Sequence, residues 1–245
     1  MTYFFDGTEN GFLTAFLQAF SDENALLSSM QTQLVLGQEP IFVQTDESKA
    51  EKVRKRLLSF DGRCIYDLQT LLRAGESDRE QAAFLYLRVL AKAGKPVKKR
   101  LAIPEVYDAV ERIRRVGFEI HRMHGFIRFM ETASGVLYAP FSPDNDICDL
   151  LVPHFRARFP HIPFVLHDVK RKKAACFDGR TAILTNLPSA DVLLSDTETQ
   201  WQALWKEYYH SVNIPERERL KQMRGYMPVR YWKFMPEKQE NELKN

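Results

Sequence analysis

Apolar positions recur along this chain with two different periods, and the switches between them mark its elements. Tyr3, Phe4 and Phe5 form a short apolar run closed by Asp6 and Gly7, which predicts a strand and turn over residues 3–6. Thr8 is placed to cap a helix over 11–20, where Phe12, Ala15, Phe16 and Ala19 share a face. Pro40 precedes a second predicted strand, 41–44. Thr45 and Asp46 then cap a helix with Ala50, Val53, Leu57 and Leu58 turned inward. Two strand–helix units about 35 residues apart predict a parallel pair joined by a crossover. Residues 65–93 read as helices, with Glu76-Ser77-Asp78 opening one and Gly94-Lys95-Pro96 forming a stop.

The second half changes character. A helix beginning near Pro104 carries Val106, Val110, Ile113, Gly117, Ile120 and His124 on one face. Arg112, Arg115, Glu119 and Arg122 run along another, and Gly125 is the expected end. Residues 126–131 and 136–141 alternate and predict a hairpin around Ala133-Ser134-Gly135. Turn chemistry at 142–146 leads into a helix over 147–159, then three strands at 164–169, 173–177 and 181–185. Asp178-Gly179 turns the last pair. Asp196-Thr197 opens a long helix whose face of Trp201, Leu204, Trp205, Tyr208 and Val212 is expected to be core. Ile214-Pro215 should end it. A basic, aromatic tail follows at 216–232, and the polar end, 238–245, should fray.

This order predicts an α+β fold. Strand–helix units and helices form an N-terminal lobe, 1–95. An antiparallel sheet packed with helices forms a second lobe, 96–195. A C-terminal helix and helical tail occupy 196–245. The alternative is one continuous domain.

Composition narrows the classes. A chain of 245 residues that is 44% hydrophobic and 27% charged fits an ordinary globular protein, and no apolar run approaches the ~20 residues of a membrane helix. No membrane partner is expected, and the first ten residues do not read as a signal peptide. Cys64, Cys148 and Cys176 are far apart and odd in number, which favours unpaired core thiols in a reduced, cytoplasmic protein. Phosphate-loop, dinucleotide-loop, zinc-protease and nucleophile-elbow motifs are absent.

The formal net charge is only +3, so the distribution of charge matters more than its sum. Lys95, Lys98, Lys99 and Arg100 form one cluster, and Arg112, Arg114, Arg115, Arg122 and Arg128 a second. Lys170, Arg171, Lys172 and Lys173 occupy a hairpin turn. Arg217, Arg219, Lys221, Arg224, Arg230 and Lys233 are interleaved with Tyr226, Tyr231 and Trp232. Cations attract phosphates and exposed rings stack on bases, so the pattern suggests nucleic-acid binding. A solvated surface with i,i+4 pairs is the plainer alternative.

His121, His154, His167 and Asp168, with Asp144 and Asp146 nearby, are the candidates for catalysis. If they converged they could hold a divalent metal or perform acid–base work on a phosphodiester. The plainer readings are a core histidine at His154, a cation at a helix end for His124, and turn or cap roles for Asp144 and Asp146. His167 and Asp168 are neighbours in a strand and must point to opposite faces.

Several blocks occur in order: YFFDGTENGFLTAF, RVGFEIHRMHGFIRF, GVLYAPFSPDNDI, LLVPHFRARFP, FVLHDVKR and IPERERLKQMRGYMPVRYWKFMPE. Together, over Tyr3 to Glu237, they resemble a bacterial DNA-metabolism family that is a domain of unknown function. Its members are encoded beside a radical-SAM protein, and a related domain is sometimes fused to a uracil-DNA glycosylase-like domain. The resemblance implies a cytoplasmic DNA repair or modification role with that partner. The iron–sulfur cluster and SAM would belong to the partner, since this chain has no CxxxCxxC; no cofactor is expected in this chain, a divalent metal being the alternative. No base excision by this chain is expected. Its characteristic blocks contain Arg115, His121, Arg122, Gly125, Arg128, Tyr138, His154, His167, Asp168, Arg230 and Trp232. The nucleic-acid contacts expected are Arg115, Arg122, Arg128, Lys170, Arg171, Lys172, Lys173, Arg230 and Trp232. The alternatives are a metal-assisted phosphodiesterase or nuclease, and a non-catalytic scaffold for the radical-SAM protein.

Overall fold

In the computed structural model, which describes residues 1–29, 40–214 and 219–239, the apolar run at the start becomes strand β1 (Thr2–Phe4). It is the middle of a small parallel sheet between β2 (Leu26–Ser28) and β3 (Pro40–Phe42). The expected parallel pair is therefore β1 with β3, and β2 is an additional strand. The Pro215 stop, Glu216, Arg217 and the last six residues lie outside the described residues.

Asp6 organises the turn after β1. Its carboxylate accepts the Thr8 N–H at 2.9 Å, the Thr8 hydroxyl at 2.7 Å and the Thr45 hydroxyl at 2.7 Å. These bonds, the Thr8 hydroxyl's first, hold its pKa below the usual value. Thr8 in turn caps α1 (Glu9–Ala19) by accepting the Gly11 N–H. A Cβ on Gly11 would lie 2.1 Å from the Asp6 carboxylate, so only glycine allows this approach. Asp46 caps α2 (Glu47–Phe60), and α3 (Cys64–Leu72) and α4 (Arg79–Ala93) follow. Gly94 ends α4 in the left-handed conformation (φ 60°). Phe12, Leu13, Leu57, Phe84, Leu87 and Leu90 fill the core between these helices.

Helix α5 (Pro104–Phe126) continues from this core. The chain forms two compact units, Met1–Gly117 and Phe118–Asn245, and the division falls inside α5. The basic stretch at 95–103 lies within the first unit. Gly125 sits in the last turn of α5 rather than after it, and the Ile127 N–H still reaches the Met123 carbonyl at 3.2 Å.

The second unit is built on a five-stranded sheet in the order β4 (Met130–Glu131), β5 (Leu137–Phe141), β6 (Phe164–Asp168), β7 (Lys173–Phe177) and β8 (Ala182–Asn186). It is mixed, where an antiparallel sheet was expected: β5 and β6 run parallel. The reason is the connection between them. A 3₁₀ turn (Asp149–Leu151) and α6 (Val152–Arg158) carry the chain back to the starting end, which makes a crossover. The α+β class stands. After the sheet come α7 (Glu198–Val212), α8 (Leu220–Tyr226) and a 3₁₀ stretch, Val229–Phe234.

Two C-terminal expectations change. The face of α7 is not core: Trp201 is 61% exposed, Leu204 60% and Tyr208 57%. Helical spacing says which side chains share a face, and leaves open whether anything covers it. Lys238, expected to fray, is buried, with its ammonium against the Tyr209 hydroxyl and over the Tyr209 and Trp232 rings. Among the described residues no helix is long and apolar enough to cross a membrane.

Candidate nucleic-acid interface

The residues singled out from the sequence separate into three environments. The first is a charge network around the turn at 142–146. Glu119, on α5, is 4% exposed. Its carboxylate accepts the N–H groups of Asp144 and Asn145, each at 2.8 Å, the Asn145 side-chain amide at 2.7 Å, and the Tyr231 hydroxyl at 2.6 Å. Burial, and then the bond to Glu119, pushes the Tyr231 pKa up. Arg230 lies over the Tyr231 ring and pairs with Asp144 at 2.5 Å. Arg171 donates to the carbonyls of Pro143 and Asp144 and to the Asp168 carboxylate. Lys173 pairs with Asp146. Arg171, Lys173 and Arg230 thus hold a loop in place. Of the hairpin-turn cluster, Lys170 and Lys172 are the exposed members.

The second environment takes up the histidines. His167 is 3% exposed and lies between the Tyr138 hydroxyl (2.6 Å) and the Leu187 carbonyl (2.9 Å). A carbonyl only accepts, so Nε2 carries the proton and Nδ1 accepts from Tyr138. Asp168, fully buried, accepts the N–H groups of Lys170 and Arg171. Both side chains are engaged by neighbouring groups in this arrangement. His121 is exposed. Among the described residues, no group of three or more His, Cys, Asp or Glu is placed to hold a metal ion. The cysteines are free, and burial raises the Cys64 thiol to about 11 and the Cys148 thiol to about 12, which keeps both protonated and poorly nucleophilic.

His154 stacks on His124, with ring centres 4.0 Å apart and planes within 12°. Both Nε2 atoms are buried with no partner. The expectation of a cation at His124 is reversed by this surrounding: burial first, then His154 and His121, lowers its pKa from 6.5. The folded state therefore favours the neutral ring, while the unfolded chain takes up a proton at its ordinary pKa. Stability is full above pH 6.5 and falls as the pH drops below it. Urea midpoints between pH 7.5 and 5 should fall for the wild type, and fall less for His124→Phe. Equal slopes would remove the stacked pair as the cause.

The third environment was not foreseen. A groove of about 490 Å³ in the second unit is lined by Arg128, Phe129, Phe159, Trp201 and Trp205, with His124 among the other walls. The N-terminus of α7 holds the Trp pair there: Glu198 accepts the Glu131 N–H at 2.8 Å, tying the helix to β4. Trp201 and Trp205 are one turn apart and open to solvent. The Arg128 guanidinium lies 5.2 Å over the Trp205 ring and pairs with Glu237 at 2.7 Å. Arg158 lies 5.6 Å over Phe159. The i,i+4 tryptophans were the visible sign of this site, but nothing local in sequence joins them to Phe129 or Phe159.

The remaining expected contacts are dispersed. Arg115, in the first unit, pairs with Glu76 at 2.9 Å. Arg122 donates to the Gly225 carbonyl at 3.4 Å. Trp232 is 3% exposed and its indole N–H is given to the Met227 carbonyl, so its ring is packed inside. A smaller cavity of about 230 Å³ lies in the first unit beside Asp6, whose carboxylate is engaged by the turn described above.

No curated protein and no solved structure matches the chain. A family model matches residues 77–237, about two thirds of the chain and a shorter span than the Tyr3–Glu237 resemblance. It begins just before α4 and ends at Glu237, the partner of Arg128, so it takes in the whole groove. On that match the chain belongs to the DUF4130 family, a domain of unknown function.

Proposed function

We propose that the second unit binds single-stranded nucleic acid, with the groove beside α7 as the place where bases stack. The observation that carries this reading is the exposure of Trp201 and Trp205 in a groove where guanidinium groups lie over two of the rings, Trp205 and Phe159. Exposed indoles next to arginines give a sequence-tolerant stacking surface beside a source of phosphate attraction. Bases in a duplex are already stacked and hide their faces, so the site favours a single strand. Lys170 and Lys172 are further exposed cations of the same unit. The wider role, DNA repair or modification with a radical-SAM partner that carries the iron–sulfur cluster and SAM, rests on the sequence resemblance. Binding of labelled single- and double-stranded oligonucleotides across a salt series tests the proposal. Single strands should bind more tightly, with log K falling against log salt at a slope of about −2 for about three phosphates. Absence of binding at low salt, or affinity independent of salt, would remove it.

A further inference from the structure

The groove has a second chemistry beside its rings. Glu131, Glu198 and Gln202 also line it. Glu198, 5% exposed, accepts the Glu131 N–H at 2.8 Å and the Gln202 amide at 2.9 Å. Glu131 accepts the Ser195 hydroxyl at 3.2 Å. A carboxylate offers about four lone-pair directions, so these bonds leave acceptor capacity on both residues. On the cationic side, Arg128 is neutralised by Glu237, whereas Arg158 is exposed at the groove and, among the described residues, lies over the Phe159 ring with no carboxylate paired to it. The site therefore combines stacking surfaces, carboxylates with spare acceptor capacity, and the Arg158 guanidinium for an anion. Its volume of about 490 Å³ suits one nucleotide unit of a bound strand.

We infer that the groove receives one unstacked nucleotide whose base carries an exocyclic amine, the base lying against Trp201 and Trp205 and the phosphate meeting Arg158. This deepens the nucleic-acid reading and rests on it. The amine selects for cytosine, adenine or guanine because an amino group donates to a carboxylate. Uracil and thymine present a carbonyl at the position where cytosine has its amine, and a carbonyl facing Glu131 or Glu198 meets another acceptor. Arg158 supplies a charge-assisted bond to the phosphate. A peptide fits less well, because its main requirement would be a ladder of backbone partners, and the groove offers side chains.

Cytidine and uridine monophosphates make the decisive pair, since they share the sugar and phosphate and differ only on the base edge that the carboxylates would read: an amine beside a bare N3 in cytosine, a carbonyl beside an N3–H in uracil. The full-length chain is titrated with each, and with ribose 5-phosphate, while tryptophan emission is followed. Trp201 and Trp205 report on the groove, and Trp232 is buried elsewhere in the packing. Cytidine monophosphate should quench saturably and bind about fivefold or more tighter than uridine monophosphate. Ribose 5-phosphate should not quench. Arg158→Gln should weaken both nucleotides, and Glu131→Gln or Glu198→Gln should bring the two affinities together, with unchanged circular dichroism spectra confirming the fold. Equal affinities in the wild type would overturn the inference, as would a preference that survives both Glu131→Gln and Glu198→Gln. If no mononucleotide binds while a single-stranded oligonucleotide still does, the inference fails and the nucleic-acid reading stands. If cytidine monophosphate binds selectively and no oligonucleotide binds, the reading fails and the groove assignment stands.

Discussion

Glu119→Ala should lower the stability of the second unit by about 3–5 kcal/mol, the largest effect expected of a single substitution here. The Glu119 carboxylate accepts from the N–H groups of Asp144 and Asn145, from the Asn145 amide and from the Tyr231 hydroxyl. Removing it orphans these donors where water is largely excluded, and each buried orphan costs about 1–3 kcal/mol. The loss also removes the Glu119 bridge between the 142–146 turn and the C-terminal segment carrying Tyr231, leaving the Arg230–Asp144 pair to join them, so the unit should melt about 10 °C lower. Glu119→Gln keeps one acceptor but sets an NH₂ group against donors, and should lose roughly half as much. Tyr231→Phe removes one bond and should cost about 1 kcal/mol. Calorimetry of the three variants checks this ordering, and an unchanged melting temperature for Glu119→Ala would show that the network is not a support of the fold.

The double variant Trp201→Ala/Trp205→Ala should weaken single-strand binding by about thirtyfold. Loss of one base–aromatic stack costs about 1–3 kcal/mol, and two at the low end amount to about 2 kcal/mol. The effect on folding should be small, because Trp201 is 61% and Trp205 39% exposed and neither belongs to the core. That separation between binding and stability distinguishes a contact surface from a packing surface. Trp232→Ala should behave in the opposite way, since the Trp232 ring is buried and its N–H is bonded to Met227.

The parts of the fold set by local chemistry were legible. The strands at Phe164–Asp168, Lys173–Phe177 and Ala182–Asn186 were read almost at their observed bounds, because they alternate and are separated by Lys170–Lys172 and Asp178-Gly179. Thr8 and Asp46 were read as helix caps and are helix caps. Features that depend on distant partners were not legible. Glu119 was read as one of the charges along a second face of α5, and it is buried with its carboxylate bonded to a tyrosine 112 positions away. Periodicity places a residue on a helix face and does not name what meets it. The parallel pairing of β5 and β6 was hidden for a related reason: strand patterns mark where a strand lies, and its direction follows from the path of α6. The candidate site divides in the same manner. The i,i+4 tryptophans were visible as a pattern, while their exposure and their meeting with Phe129, Phe159 and two arginines required the folded chain. The basic clusters were visible too, but several of their charges serve internal pairs, as Arg171, Lys173 and Arg230 do around the 142–146 turn.

The most direct test of nucleic-acid binding through the α7 groove is one anisotropy titration of a labelled single-stranded oligonucleotide, run side by side on the wild type and Trp201→Ala/Trp205→Ala at low salt. The wild type should saturate, and the double variant should bind about thirtyfold more weakly while melting at the same temperature. Coincident curves, or a wild type that does not bind, would contradict the account.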